Sequence, residues 1–343
     1  MTGRSELVRQ VLDEYGALSQ RLLASYLRQA MARDDVYQLA ADYPLRSGRA
    51  LRASLCIATA RAFGGSVQDA AASAVSLELL HSAFLVHDDI EDESDERRGK
   101  PTLHRLVGVP AALNAGDALI ALSLRPLIGN RLTLGPQLAW SILEEAERMV
   151  RESVEGQAME LRWRQTTDAD VSERDYLLMI LKKTCWYTTI YPSRVGAMIG
   201  SRGELDLDLF SRFGFFLGAA FQIQDDLLNL TGDHERYGKE LGGDLLEGKR
   251  TLILIHTLRN AAPPERARAL RFLALPRAEK PQTELEWLMS TIERLGSIDH
   301  ARRVAHALAG AAAHELSICL RTAPDGRDKA FIEALPYWVL ERA

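Results

Sequence analysis

Two short acidic runs are the residues of this sequence best placed to do chemistry. They are Asp88-Asp89-Ile90-Glu91-Asp92 and Asp225-Asp226-Leu227-Leu228-Asn229. Side chains four apart share a face of a helix, so Asp88 pairs with Asp92 and Asp225 with Asn229. Counting back by threes and fours from Asp88 meets Phe84, His81 and Leu77, and from Asp225 it meets Phe221, Leu217 and Phe213. Each run therefore continues an inward-facing stripe. Carboxylates on a buried stripe are costly unless paired or bound to a cation. Hard oxygens presented sparsely suit Mg²⁺, which keeps several waters and is completed by phosphate oxygens. That points to diphosphate chemistry.

With 47 acidic residues in 343, about one such run arises by chance, so the bases around them decide the reading. Arg97-Arg98-Gly99-Lys100 follows the first run, Lys183-Thr184 lies between the two, and Lys239, Asp244, Lys249 and Arg250 follow the second. Arginine forks match phosphate oxygens, and lysine acts as a point charge.

The elements that must position these groups read as helices. Apolar residues recur at helical spacing, as in Val8, Leu12, Leu18, Leu22 and Leu23, while alternating β-branched runs are hard to find. Punctuation at Ser47-Gly48, Gly64-Gly65, Gly99 to Pro101, Gly108 to Pro110, Gly135-Pro136, Gly203, Pro263-Pro264 and Pro324 to Gly326 predicts about ten or more helices. Ser172-x-x-Asp175 has the form of a helix cap. The fold class is all-α, and with no composition shift to mark a linker, residues 1–343 are expected to form a single domain.

Composition excludes other classes. A net charge of -5 and a pI near 6.0 give no footprint for nucleic acid. Cys56, Cys185 and Cys319 are isolated and without zinc or redox spacing. The mixed charge of the N-terminal stretch lacks an apolar leader, and the most apolar run, Gly214 to Ile223, is too short for a bilayer span, so a cytoplasmic location is expected.

Together these segments resemble the trans-isoprenyl diphosphate synthases, the polyprenyl synthetase family. The resemblance rests on His87 through Thr102, on Phe221 through Asn229, on Gly238-Lys239 and Gly243-Asp244, and on Gly248-Lys249-Arg250-Thr251, in the family's order. It implies a helical bundle around a deep central cleft, a homodimer, and Mg²⁺ as cofactor. Asp88, Asp92 and Asp225 correspond to the metal ligands, with Asp89, Asp226 and Asp244 supporting them. Arg97, Lys183, Lys239 and Lys249 correspond to bases that hold the allylic diphosphate. Thr184 and Gln222 correspond to polar groups beside the reacting carbons, and Gly156-Gln157 with Glu160 looks like the family's Gly-Gln motif.

The pocket for the second substrate, isopentenyl diphosphate, corresponds to Gly48, Arg49, Arg52, His81 and Arg98. Arg49 departs from the usual lysine by presenting a planar fork, and Asn229 departs from a frequent aspartate. The basic tail of some animal-type farnesyl diphosphate synthases is absent, the last residues being Leu340-Glu341-Arg342-Ala343. The activity implied is a prenyltransferase joining isopentenyl diphosphate to an allylic diphosphate. No side chain is assigned as base, because the released pyrophosphate fills that part in the family. A class I terpene cyclase would not keep the second pocket, and a non-catalytic partner subunit would have lost ligands or bases.

Product length is expected at C20, with C15 as the alternative. In the family a large aromatic five residues before the first aspartate stops growth at C15, and this chain has Ala83 there. One helical turn rises about 5.4 Å, close to a prenyl unit. Phe84, Leu80 and Leu77 are therefore expected to narrow successive turns of the tail pocket.

Overall fold

The computed structural model describes residues 3–342, apart from 33, 47, 49, 167–169 and 233–241. Arg49 and Lys239 lie outside the described residues. The helices are α1 (Gly3–Met31), α2 (Asp35–Leu45), α3 (Leu51–Ala62), α4 (Val67–Glu91), α5 (Leu103–Val107), α6 (Val109–Gly129), α7 (Pro136–Gln165) and α8 (Glu173–Ile180). A π-helical segment, Leu181–Ile190, continues α8 into α9 (Tyr191–Ser201). The rest are α10 (Asp208–Thr231), α11 (Gly243–Glu247), α12 (Leu252–Asn260), α13 (Pro263–Leu273), α14 (Gln282–Arg294), α15 (Ser297–Cys319) and α16 (Arg327–Glu341). The all-α expectation holds.

Local chemistry sets the ends of the elements that matter. Reciprocal capping boxes start α4, at Ser66 and Asp69, and α8, at the expected Ser172 and Asp175. Among the described residues the one strand pair is a two-residue ribbon, Glu96–Arg97 against Lys100–Pro101, which the helical reading of the sequence did not foresee. Its loop is Arg98-Gly99, with φ of +56° and +70°. Two successive left-handed residues make the tight turn whose twist matches such a ribbon. Arg98 pays strain for its place there, a cost of the kind that gathers at functional sites.

The main core gathers inward faces of α3, α7, α9, α10, α12, α15 and α16, and a second core lies between α2, α4 and α6. α4 packs chiefly on α6, and α10 chiefly on α15. Two helical stretches, Val67–Glu91 and Val109–Leu132, are long and apolar enough to cross a membrane by length and composition, which the sequence reading, resting on Gly214 to Ile223, did not foresee. The window in the first is 61% buried inside the fold and that in the second 39%, so α4 is a core helix and α6 keeps an apolar outer face. That outer face carries Val109, Leu113, Leu124 and Ile128.

Candidate active site

Both acidic runs open on one cavity of about 980 Å³, walled by α3, α4, α7, the π-helical segment and α10. Asp88, Glu91, Asp225, Asp226 and Asp244 line it, together with Arg52, His81, Arg97, Arg98, Lys183 and Lys249.

Around the first run nearly every carboxylate meets a base. Asp88 lies 3.5 Å from Lys183 Nζ and 3.6 Å from Arg97. Burial and the Asp92 carboxylate oppose its ionisation, but Lys183, Lys249 and Arg97 outweigh them and hold it below the usual range. Asp89 is fully buried, accepting from Tyr43 Oη at 2.5 Å and from Arg97 Nε at 2.9 Å. Asp92 caps α4 away from the cavity lining, with Arg164 at 2.5 Å and Lys249 at 2.8 Å. Burial opposes its charge, yet Lys249, Lys183 and Arg164 hold its carboxyl well below the ordinary range. Lys249 also meets Glu247 at 2.6 Å and Asp244 at 3.8 Å.

Lys183 is clasped by Glu160 at 2.7 Å, and despite burial that acid and Asp88 keep it protonated. Gly156 makes this possible. A Cβ there would stand 2.2 Å from the Lys183 backbone nitrogen, so only glycine lets α7 approach the π-helical segment so closely. Thr184 Oγ1 donates to Gln222 Oε1 at 3.0 Å, and Gln222 Nε2 donates to Asp226 at 2.8 Å. Burial pushes the Asp226 carboxyl up to about 6, against the pull of donors Tyr176 and Gln222. Asn229 has a positive part, because its Oδ1 accepts from the Asp244 backbone N–H at 3.1 Å and so pins the loop that carries that acid.

Arg52, His81 and Arg98 form a second group of bases lining the same cavity. Arg52 Nη1 stands 3.3 Å from His81 Nε2, and Arg52 Nη2 donates to Thr188 Oγ1 at 3.0 Å. Arginine offers only donors, so Nε2 is the acceptor and Nδ1 carries the proton. Burial, then Arg52, Arg98 and Arg97, push this imidazole well below its usual pKa, which keeps it neutral. His81 Nδ1 and Arg52 Nε are buried without a hydrogen-bond partner. Two orphaned donors beside a cavity are what an anion would satisfy. Gly48 lies against the Arg98 guanidinium, 2.9 Å from a Cβ position.

Phe84 lines the cavity, but Leu77 and Leu80 belong to the main core and Ala83 to the second. Ala83 sits about 140° around α4 from Asp88, which turns it toward α6. The apolar lining comes instead from Phe84 and Leu85 on α4, Ile120 on α6 and Val150 and Val154 on α7.

Several partners escaped the sequence reading, among them Tyr43, Arg164, Tyr176, Tyr187 and the buried Glu78 beside Arg52 and Arg98. From the C-terminal segment Trp338 and Arg342 reach the cavity, Arg342 lying 3.0 Å from Asp225 and stacked 4.0 Å over Phe221.

As for a metal, among the described residues no three carboxylate, imidazole or thiol groups close on one point. A cation held by Asp88 or Asp225 would need oxygens from water or a bound phosphate. That is the habit of Mg²⁺, and the donor set of carboxylates alone fits it.

Residues 34–292 match the family model for Polyprenyl synthetase. The chain is 35% identical over 260 residues to the geranylgeranyl diphosphate synthase of Sulfolobus acidocaldarius, covering 75% of this chain and 76% of that protein. It superposes on geranylgeranyl pyrophosphate synthetase from Pyrococcus horikoshii with a TM-score of 0.86 and 30% identity, covering 98% of this chain and 99% of the other. Polyprenyl synthase from Caulobacter crescentus, solved with calcium and isoprenyl diphosphate, gives a TM-score of 0.85 at 26% identity, covering 99% and 98%.

Proposed function

The chain belongs to the polyprenyl synthetase family and is a trans-prenyl diphosphate synthase, and on that premise we propose that it extends an allylic diphosphate with isopentenyl diphosphate to a C20 product, using Mg²⁺. The observation that carries the reading is one cavity with two aspartate runs at its mouth, buried lysines beside them, and a separate arginine–histidine pocket holding orphaned donors.

In this reading Asp88 and Asp225, with Asp92 behind them, hold the metal, which when bound draws negative charge off the departing diphosphate. Lys183 and Lys249, kept charged by their acidic neighbours, supply fixed positive charge where that diphosphate gathers its own. Arg97 belongs to the same cradle, although it already serves Asp89; Lys239 keeps the diphosphate-holding role that the family resemblance gives it. Arg49, Arg52, His81 and Arg98 anchor isopentenyl diphosphate, so its alkene is held in place for attack. Thr184 and Gln222 border the reacting carbons. Phe84, Ile120, Val150 and Val154 give the growing tail a dry channel.

The C20 product is supported by the two similar proteins whose names carry that length. C15 is the weaker reading. Purified protein incubated with isopentenyl diphosphate and each of the C5, C10 and C15 allylic diphosphates should give geranylgeranyl diphosphate as its longest main product. Chains of C30 or more would overturn the assignment.

A homodimer is part of the proposal. The outer face of α6 leaves Val109, Leu113, Leu124 and Ile128 exposed in one apolar stripe, the kind of surface that a partner chain covers. Light scattering should give twice the chain's mass, and Leu113→Asp with Ile128→Asp should bring it down to one.

A further inference from the structure

Tyr187 lines the cavity between Phe84 and the Arg52–His81 pair. It lies on the π-helical segment, and its ring meets Phe84 edge-on, at 5.5 Å between centroids and 88° between planes. The same ring stacks on His81 at 5.9 Å and carries the Arg52 guanidinium 4.4 Å from its centroid. Arg52 and His81 are also joined at 3.3 Å. One aromatic ring thus touches the wall of the tail channel on one side and both anchors of the second substrate on the other. All four groups line the cavity.

From this geometry we infer that Tyr187 sets product length by coupling the two pockets. The inference rests on the activity proposed above. A tail that grows until it presses on Phe84 presses through it on Tyr187. The segment bearing Tyr187 is hemmed in by backbone-close contacts from Gly156 on one side and from Gly214 and Gly218 on the other. It cannot retreat as a unit. The ring can yield only by moving against Arg52 and His81, whose orphaned Nε and Nδ1–H await the diphosphate of the incoming C5 unit. Growth therefore ends when the enzyme loses its grip on the next isopentenyl diphosphate, and the channel need not be sealed at its far end.

The test is a paired measurement on Tyr187→Leu, Tyr187→Phe and Phe84→Ala. A cation held over an aromatic face contributes enough that removing the ring should raise KM for isopentenyl diphosphate by roughly threefold to thirtyfold. In Tyr187→Leu that rise should come with products of C25 and longer, while the KM for the allylic substrate changes little. Tyr187→Phe, which keeps the ring, should restore most of both properties. Phe84→Ala removes the contact through which the tail presses on Tyr187, so it should lengthen the product while the KM for isopentenyl diphosphate, which in the wild type rises with the length of the allylic substrate, stays level from C10 to C20. If Tyr187→Leu does not fold, the phenylalanine and Phe84 variants carry the comparison. A wild-type KM that does not rise with allylic length, or a raised KM in Tyr187→Leu with unchanged products, would overturn the coupling. A wild type that forms no prenyl product from any starter would overturn the proposed function instead.

Discussion

Asp88→Ala should lower kcat/KM for chain elongation by about a hundredfold or more, with the fold intact. The size follows from removing a ligand of the metal that stabilises the departing diphosphate, an interaction made chiefly in the transition state. The intact fold follows from the contacts. Lys183, freed of Asp88, keeps Glu160 at 2.7 Å, and Arg97 keeps Asp89 at 2.9 Å. Neither base is left buried without a partner, so the stability cost should stay within about 1 kcal/mol. Steady-state kinetics beside a thermal melt separate the two effects. Activity near that of the wild type in a folded Asp88→Ala protein would remove Asp88 from the metal site.

The second large effect concerns Lys249. One ammonium group, largely buried, serves Asp92, Glu247 and Asp244. Lys249→Ala leaves three acids facing one another across the space it filled, with Arg164 on Asp92 and Arg277 on Glu247 in partial compensation. Breaking a buried charge network by removing one partner costs about 3 kcal/mol or more, and the loss of a diphosphate-holding base should reduce activity as well. The pH dependence has a definite sign. The Asp92 carboxyl is held below its ordinary range when folded, so its share of the stability is present above the unfolded value, about 4, and is lost as pH falls below it. The gap in unfolding free energy between wild type and Lys249→Ala should therefore be full at pH 7 and shrink below pH 4. Urea unfolding at several pH values measures it. A gap that is small at neutral pH would mean that the network contributes nothing to the fold.

How far the sequence carried depended on whether a residue's partner was near in the chain. The stripes Phe84–His81–Leu77 and Phe221–Leu217–Phe213 pointed the acidic runs inward because helical spacing is a local rule, and Ser172 with Asp175 declared their cap for the same reason. Tyr43 and Asp89 are 46 positions apart, and Asp92 and Lys249 are 157 apart. No spacing rule joins such pairs, so the sequence supplied the acids and the bases but not which base serves which acid. Arg97 was read as a substrate base and is already engaged by Asp89. Which way each turn of α4 faces is likewise set by distant packing, and Ala83, five residues from Asp88, looks toward α6. Arg342 was passed over because a single arginine is no pattern, and it reaches Asp225 only through the way α16 lies against α10.

The wide-turned segment Leu181–Ile190 also sets a constraint on length. Its backbone pairs five residues back, as the Tyr191 N–H does with the Trp186 carbonyl, where an ordinary helix pairs four back. It therefore holds a residue more than α-helical winding between the same two ends would need. Removing one residue from it would let the winding revert to α-helical with α8 and α9 still in their places. The side chains within the segment, Lys183 and Thr184 among them, would be re-aimed while α9 stayed seated on α3. A single deletion there is thus felt by the cleft and not by the core. It would spare the composition and the packing of this chain while shifting its lysine and threonine against the aspartates.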